Sequence, residues 1–159
     1  MNDYLDELDE LDLKIIAHLQ EDGRKSFSVI AEDVGVTERT VRLRVAQLRE
    51  RKILQIVGVV NPIKLGLQVV AIIQLAVQEA ELTNCVEQLR TMEEVRFITM
   101  TSGEYQLLIQ VVHRSYEDLV VFLQSKLNML NGVRRTNTMM ELQVFKNDFH
   151  FARRAGLAF

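Results

Sequence analysis

A short basic segment holds the side chains of this sequence that are best suited to binding chemistry. Residues 37–52 include six positively charged side chains and two negatively charged ones, on a chain whose formal net charge is −3. The six are Arg39, Arg42, Arg44, Arg49, Arg51 and Lys52. Guanidinium groups pair with phosphate oxygens and can donate two parallel hydrogen bonds to the edge of guanine. The segment therefore predicts contact with duplex DNA; the alternative is a charged helix face that meets only solvent.

Two predicted helices position these cations. Ser26 and Thr37 each carry a short hydroxyl side chain that can accept a hydrogen bond from the first turn of a helix. Gly35 can adopt the positive φ that ends one helix and turns the chain into the next. The apolar residues of the second helix recur at spacings of four and three: Val41, Val45 and Leu48. This stripe faces a core and leaves the arginines outside, which is typical of a helix-turn-helix.

The flanking segments complete a small domain. Apolar residues at helical spacing predict a first helix over residues 8–20, which packs on the other two. Residues 53–60 are β-branched and apolar, and they predict a short wing strand. Pro62 is the only proline of the chain, and it marks the boundary between two domains.

The second half of the chain alternates between strand and helix periods. The predicted elements are a strand at residues 68–78, a helix capped by Thr83, a hairpin of strands at 95–101 and 105–112, a helix capped by Ser115, and a strand at 133–145. The order βαββαβ is that of a ferredoxin-like unit, an antiparallel sheet with both helices on one face. Because the strands are apolar on both sides, the other face needs a cover, and we expect a homodimer with paired sheets.

The sequence thus predicts an α+β chain in four parts. An N-terminal winged helix-turn-helix domain of three helices occupies residues 1–60, and a linker follows at 61–66. A C-terminal ferredoxin-like βαββαβ domain with an antiparallel sheet, which we expect to mediate oligomerisation, spans 67–146, and a tail covers 147–159. A dimer would present two recognition helices to a pseudo-palindromic DNA site.

Other classes of function find little support in the sequence. No apolar run is long enough to span a membrane, and the acidic start lacks the pattern of a secretory signal, so we expect a cytoplasmic protein. Cys85 has no partner for a disulfide and no neighbour at metal-ligand spacing. The histidines, His18, His113 and His150, fall in three separate predicted segments. We expect no catalytic residues, no metal and no cofactor, although ferredoxin-like units can carry active sites.

Taken together, these motifs resemble the Lrp/AsnC family, the feast/famine transcription regulators, over about nine tenths of the chain. The opening LDELDLKIIAHLQEDGRKSFSVIAEDVGVTERTVRLRVAQLRERKIL resembles the family's DNA-binding domain, including the Arg44-Val45 pair of its recognition helix. TSGEYQLLIQV resembles the Gly-x-Tyr-Asp segment of the regulatory domain, and LNGVRRTNT resembles the Gly-Val before its last strand.

This resemblance implies a sequence-specific DNA-binding transcriptional regulator built from dimers that assemble to tetramers or octamers, with an amino acid or related metabolite bound between dimers. The implied DNA-binding residues lie in the motif region from Ser26 to Val45 and beside it: Arg24, Ser26, Thr37, Glu38, Arg39, Thr40, Arg42, Leu43 and Arg44. Among these, Arg24 and Arg44 would lie near phosphate or brace the motif. The implied effector-binding residues are Thr101, Ser102, Gly103, Glu104, Tyr105, Gln106, Thr136, Asn137 and Thr138.

Two positions depart from the family pattern. Gln106 stands where the family usually has an acid, so an effector ammonium group would lose a charge-assisted hydrogen bond there. Lys52 stands where a glycine commonly ends the recognition helix; a side chain in a left-handed conformation costs about 1 kcal/mol, unless the chain turns differently. The alternative function is an effector-independent architectural protein of the same fold, which binds DNA by multimer charge.

Overall fold

The computed structural model describes residues 8–147, which fall into two compact units. One unit contains the chain up to Val59, and the other runs from Val60 to Phe145. Apart from Asn147, the predicted tail at 147–159 lies outside the described residues. None of the helices within residues 8–147 is both long enough and apolar enough to cross a membrane.

Three helices form the first unit: α1 (Glu10–Glu21), α2 (Phe27–Val34) and α3 (Glu38–Glu50). The predicted caps are confirmed, because the hydroxyl of Ser26 accepts from Val29 N–H and that of Thr37 from Thr40 N–H. Gly35 ends α2 with φ 73°. Helix α1 begins two residues later than predicted, since Asp9 and Asp12 form a reciprocal capping box at its start.

The stripes predicted from helical spacing meet in one small core. Val41, Val45 and Leu48 of α3 are buried, with exposures of 0–3%. They pack with buried residues of the other two helices and of the following segment: Ile15, Leu19, Ile30, Ala31 and Leu54. This packing fixes which face of α3 points outward, because a helix with one stripe buried must expose the opposite one.

The predicted wing strand at residues 53–60 is wrong. Leu54 packs into the core of the first unit, but the residues after it form no strand in the described chain. Val57 and Val59 are 70% and 71% exposed. A β-branched run becomes a strand only where another strand satisfies its backbone groups, and residues 53–60 pair with none within residues 8–147.

Lys52 follows α3 in a left-handed conformation. Its φ is 59°, and within residues 8–147 it is the only non-glycine residue with positive φ. Of the two expectations for this position, the left-handed one is therefore confirmed. The conformation ends the helix, and the N–H groups of Ile53 and Leu54 both reach the carbonyl of Leu48.

The second unit has the predicted βαββαβ order. Its elements are β1 (Val69–Val77), α4 (Leu82–Arg90), β2 (Val95–Met100), β3 (Leu107–His113), α5 (Tyr116–Val121) and β4 (Val133–Met140). The sheet order is β2-β3-β1-β4, and all three pairings are antiparallel. Alternate residues of β1 and β3 are buried against the helices, while those between them are half-buried. The ferredoxin-like topology is confirmed.

Helix α5 differs from its prediction in phase. The sequence predicts one stripe of Leu119, Leu123, Leu127 and Leu130, but the buried residues are Leu119, Phe122, Leu127 and Leu130. After α5 the chain makes a π-helical turn (Phe122–Lys126) and then a 3-10 turn (Leu127–Met129). Leu123 still packs on the core but is only partly buried. A π turn inserts an extra residue, which brings Leu127 onto the same face five residues after Phe122.

Two further boundaries were predicted wrongly. Thr83 does not cap α4, because a 3-10 turn (Glu79–Glu81) leads directly into a helix that starts at Leu82, whose side chain packs on the core. Strand β4 ends at Met140 rather than at Phe145. Its partner β1 starts at Val69, and the last bond of the ladder is from Glu141 N–H to the carbonyl of Val70.

Candidate nucleic-acid interface and effector region

The outward face of α3 carries most of the residues predicted to contact DNA. Glu38, Arg39, Arg42 and Leu43 are exposed, and the exposed fraction of Leu43 reaches 58%. Thr37 and Thr40 lie at the start of the helix, with their hydroxyl oxygens 2.8 Å apart. Ser26 caps α2, and its hydroxyl lies 3.1 Å from that of Ser28.

Arg42 is held in place from two sides. Its guanidinium lies 2.5 Å from the carboxylate of Glu38, one turn earlier on the same helix. It also lies over the ring of Phe27, the first residue of α2, at 5.4 Å from the ring centroid. The side chain of Arg42 is nevertheless 65% exposed, so its remaining N–H donors are open to a partner outside the protein.

In the described part of the first unit, three arginines have unpaired side chains. Within residues 8–147, the guanidinium groups of Arg24, Arg39 and Arg49 make no ion pair or hydrogen bond. All three residues are exposed, and the chain is turned at Arg24 by a backbone hydrogen bond to the carboxylate of Asp22. Exposed, unpaired guanidinium groups can neutralise phosphate without first breaking an internal contact.

Arg44 lies in a different environment from these arginines. Its guanidinium reaches Asp9 at 2.7 Å and Asp12 at 3.2 Å, both at the start of α1. Asp12 is 4% exposed. The hydrogen bond from the backbone N–H of Asp12 lowers the pKa of Asp9, helped by Arg44 and opposed by the partial burial of the group. Two carboxylates at the start of α1 therefore face the guanidinium, and Arg44 joins α3 to α1.

Sequence analysis missed the partners of Arg44, although a signal was present. Asp12 occupies the same helical stripe as Ile15 and Leu19, at spacings of three and four. A carboxylate on an apolar stripe must find a cation or a hydrogen-bond donor when it is buried. Only the folded structure shows that the cation is supplied by the recognition helix.

The residues predicted to bind an effector include the connection between β2 and β3. The hydroxyl of Thr101 donates to the carbonyl of Tyr105 at 2.5 Å. The carbonyl oxygen of the Gln106 amide accepts from Val77 N–H at 2.9 Å, and its nitrogen faces the carbonyls of Gly103 and Glu104. The amide of Gln106 therefore ties the loop to β1.

The predicted residues of β4 divide between the two faces of the sheet. Thr136 and Thr138 pair with Leu75 and Ile73, whose side chains are buried on the helix side. Asn137 lies on the other face, where its amide donates to Gln74 at 2.9 Å. The two threonines remain exposed because β4 is an edge strand.

Arg135, which the sequence analysis missed, links the two parts of the effector region. It pairs with Glu104, and its guanidinium lies 5.0 Å from the centroid of the Tyr105 ring. The hydrogen bond with Glu104 raises the pKa of Arg135 above its ordinary value. The loop and β4 thus meet at one end of the sheet, where Arg135 lies beside Glu104 and Tyr105.

The second unit also contains a buried histidine, His113. His113 is 5% exposed, and its ring lies 5.2 Å from that of Phe122. Among residues 8–147, its Nε2 has no hydrogen-bond partner. Glu94 pairs with Lys126 at 2.5 Å. Among residues 8–147, no three histidine, cysteine or acidic side chains are placed to hold a metal ion.

Two family models match the chain in the order of its two units. A model of the AsnC-type helix-turn-helix domain matches residues 8–49. A model of the Lrp/AsnC ligand binding domain matches residues 69–150.

Curated relatives are similar in sequence to this chain over most of their own length. An uncharacterised HTH-type transcriptional regulator of Pyrococcus furiosus is 36% identical over 140 residues, which cover 87% of this chain and 95% of that protein. The HTH-type transcriptional regulator Ptr1 of Methanocaldococcus jannaschii is 33% identical over 88% of this chain and 95% of its own length.

Solved structures share the fold. AsnC of Escherichia coli matches 88% of this chain and 95% of its own with a TM-score of 0.79 and 26% identity. A transcriptional regulator of Neisseria meningitidis in complex with L-methionine has a TM-score of 0.80 and 23% identity. The match covers 90% of this chain and 95% of that protein.

Proposed function

Because this chain belongs to the Lrp/AsnC family of transcriptional regulators, we propose that the exposed face of α3 reads a specific DNA sequence and that an amino acid or related metabolite controls this binding. The chain has a helix-turn-helix DNA-binding domain and a ligand-binding domain. The observation that carries the DNA proposal is the outward face of α3. There Arg39 has no side-chain partner within the described part of the chain, and Arg42 is held by Glu38 and Phe27.

The proposed DNA-binding residues have different roles. Arg39 and Arg42 would reach base edges in the major groove, with Thr37, Glu38, Thr40 and Leu43 around them. Arg24 and Ser26 would lie towards the phosphates, where an unpaired guanidinium and a hydroxyl are both useful donors. Arg44 is already paired with two carboxylates, so its proposed role is to brace α3 against α1.

We further propose that the chain acts as a homodimer, which can assemble to tetramers or octamers. The open face of the sheet supports this assembly: Val70, Ile72, Leu108 and Val112 are half-buried there and Phe97 is 47% exposed. Burying such a face against a second sheet removes apolar area from water. Two copies would place two α3 helices on half-sites about 34 Å apart, one turn of DNA. Since its target would be chromosomal DNA, we propose the cytoplasm as its location.

The proposed effector is a small molecule bound at the β2–β3 loop and β4. The L-methionine bound by the Neisseria regulator supports amino acids as the class to test first. In this chain the amide oxygen of Gln106 is occupied with β1. Glu104 is paired with Arg135, but its side chain is 67% exposed and a carboxylate has lone pairs for more than one donor, so Glu104 is the proposed acceptor for an ammonium group. Thr101, Ser102, Gly103, Tyr105, Thr136, Asn137 and Thr138 complete the proposed site.

The DNA proposal is tested by measuring affinity for a selected DNA site as a function of salt. Arg39→Ala should weaken binding by about 1–3 kcal/mol if the arginine reads a base. Lys64→Ala is the matched control, because it removes an exposed positive charge from the second unit. If Arg39→Ala, like the control, left both the affinity and the salt slope unchanged, Arg39 would not lie at the DNA interface.

A further inference from the structure

The contact between Phe27 and Arg42 joins the two helices of the helix-turn-helix at its exposed surface. Phe27 is the first residue of α2 and is half-buried against the core of the first unit. Its ring therefore has a fixed position, and the face of the ring is offered to the guanidinium of Arg42, 5.4 Å away. An aromatic face attracts a cation through its quadrupole, most strongly where water is partly excluded.

Glu38 restricts the same guanidinium from a second direction. One Glu38 carboxylate oxygen accepts a hydrogen bond from Nη2 of Arg42, one turn later on α3. With the ring on one face and the carboxylate on one edge, the long arginine side chain loses much of its rotamer freedom before any ligand arrives. Arginine has a large rotamer entropy, and a side chain that is already ordered does not lose that entropy again on binding.

Resting on the proposed DNA-binding function, we propose that Phe27 is a positioning residue that sets the base specificity of Arg42. Phe27 lies outside the recognition helix and itself need not touch DNA. It orders the guanidinium so that the N–H groups left free by Glu38 address one base pair. Arg39, which has no internal partner among residues 8–147, acts independently of Phe27.

A double-mutant cycle on DNA binding tests this role. Phe27→Leu keeps an apolar side chain against the core but removes the ring face, and Phe27→Tyr keeps the ring. In the dimeric protein, Phe27→Leu should lower the discrimination at one base pair by about two- to fivefold, the range of an exposed cation–π contact. Phe27→Tyr should restore it. In the Phe27→Leu background, Arg42→Ala should cost less than in the wild type, while the cost of Arg39→Ala should not change.

The outcomes separate this inference from the function on which it rests. If Arg42→Ala lowers specificity equally with either residue at position 27, the positioning role is wrong and the DNA reading by α3 stands. If Arg42→Ala changes neither affinity nor specificity, the assignment of Arg42 to the DNA interface is wrong as well. Thermal unfolding of each variant shows whether the fold is intact. If Phe27→Leu unfolds, Phe27→Met removes the ring with a side chain of similar size and carries the same expected results.

Discussion

The guanidinium of Arg44 and the carboxylate of Asp12 lie 3.2 Å apart and join α3 to α1 across 32 positions of the chain. Asp12 is 4% exposed, whereas the side chain of Arg44 is one-third exposed. Burial makes the carboxylate depend on its partner, because an isolated charge is costly to keep away from water. The orientation of the recognition helix is therefore coupled to the first turn of α1.

Removing the cation should destabilise the first unit. We expect Arg44→Ala to lower the free energy of unfolding by about 2–3 kcal/mol, less than for a fully buried pair because water reaches the arginine. Arg49→Ala removes from the same helix an exposed arginine that has no side-chain partner among residues 8–147, and it should change stability by less than about 0.5 kcal/mol. Urea unfolding of both variants measures the difference. Equal stabilities would show that the pair does not hold α3 in place.

The left-handed residue after α3 makes a second prediction about stability. Lys52→Gly should stabilise the protein by up to about 1 kcal/mol, because a glycine adopts φ near +60° without the steric cost of a Cβ. Glu50→Gly, two residues earlier in the regular helix, should instead destabilise by about 1 kcal/mol. Thermal unfolding should give shifts of opposite sign, and a loss of stability with Lys52→Gly would contradict this interpretation of the turn.

Buried His113 predicts that stability depends on pH. Burial lowers the pKa of His113, against the opposing effects of Glu94 and Asp118 and with a further lowering by Lys126. Because the unfolded chain then binds a proton more readily than the folded one, the contribution of His113 is present above the unfolded pKa of about 6.5 and is lost as the pH falls below it.

Substitution of this histidine should change that pH dependence. Between about pH 7.5 and pH 5.5, the wild type should lose stability on acidification, and His113→Gln should lose less, since a glutamine does not titrate. Chemical unfolding at a series of pH values measures the two slopes. Parallel slopes would show that other groups cause the acid sensitivity.

The proposed effector site predicts a thermal response to amino acids. A ligand at 100 times its Kd stabilises by about 2.7 kcal/mol, which corresponds to an increase in Tm of about 5–10 °C for a chain of this size. Glu104→Gln should reduce the response because it removes the proposed partner of the ammonium group. Glu87→Gln is the matched control, since Glu87 is also an exposed carboxylate paired with an arginine.

A screen of the twenty amino acids by thermal unfolding and sedimentation measures this response. Failure of every amino acid to change either Tm or the size of the assembly would contradict amino-acid control. Such a result would leave the effector-independent form of DNA binding in place.

Local chemistry explains which parts of the fold were predictable from the sequence. Ser26, Gly35, Thr37 and Ser115 mark helix ends through contacts with their own neighbours, so a short window of sequence contains the cause. The alternation of β1 likewise follows from one face packing on the helices. These features need no knowledge of the rest of the chain.

Other features depend on partners that are distant in sequence. The extent of β4 is set by where β1 starts, and residues 53–60 are not a strand because none pairs with them within the described chain. The phase of α5 changes at a π turn that helical periodicity cannot represent. In the candidate sites, Arg44 could be named from the sequence, but Asp12 as its partner and Arg135 as the link to Glu104 required the fold.

The central claim is that the exposed face of α3 reads DNA sequence, and selection of bound duplexes from a random pool tests it most directly. Wild-type protein should enrich one pseudo-palindromic motif with half-sites about one helical turn apart. Arg39→Ala and Arg42→Ala should each lose the preference at particular positions of that motif. Recovery of no common motif by the wild type, or of an unchanged motif by both variants, would contradict the account.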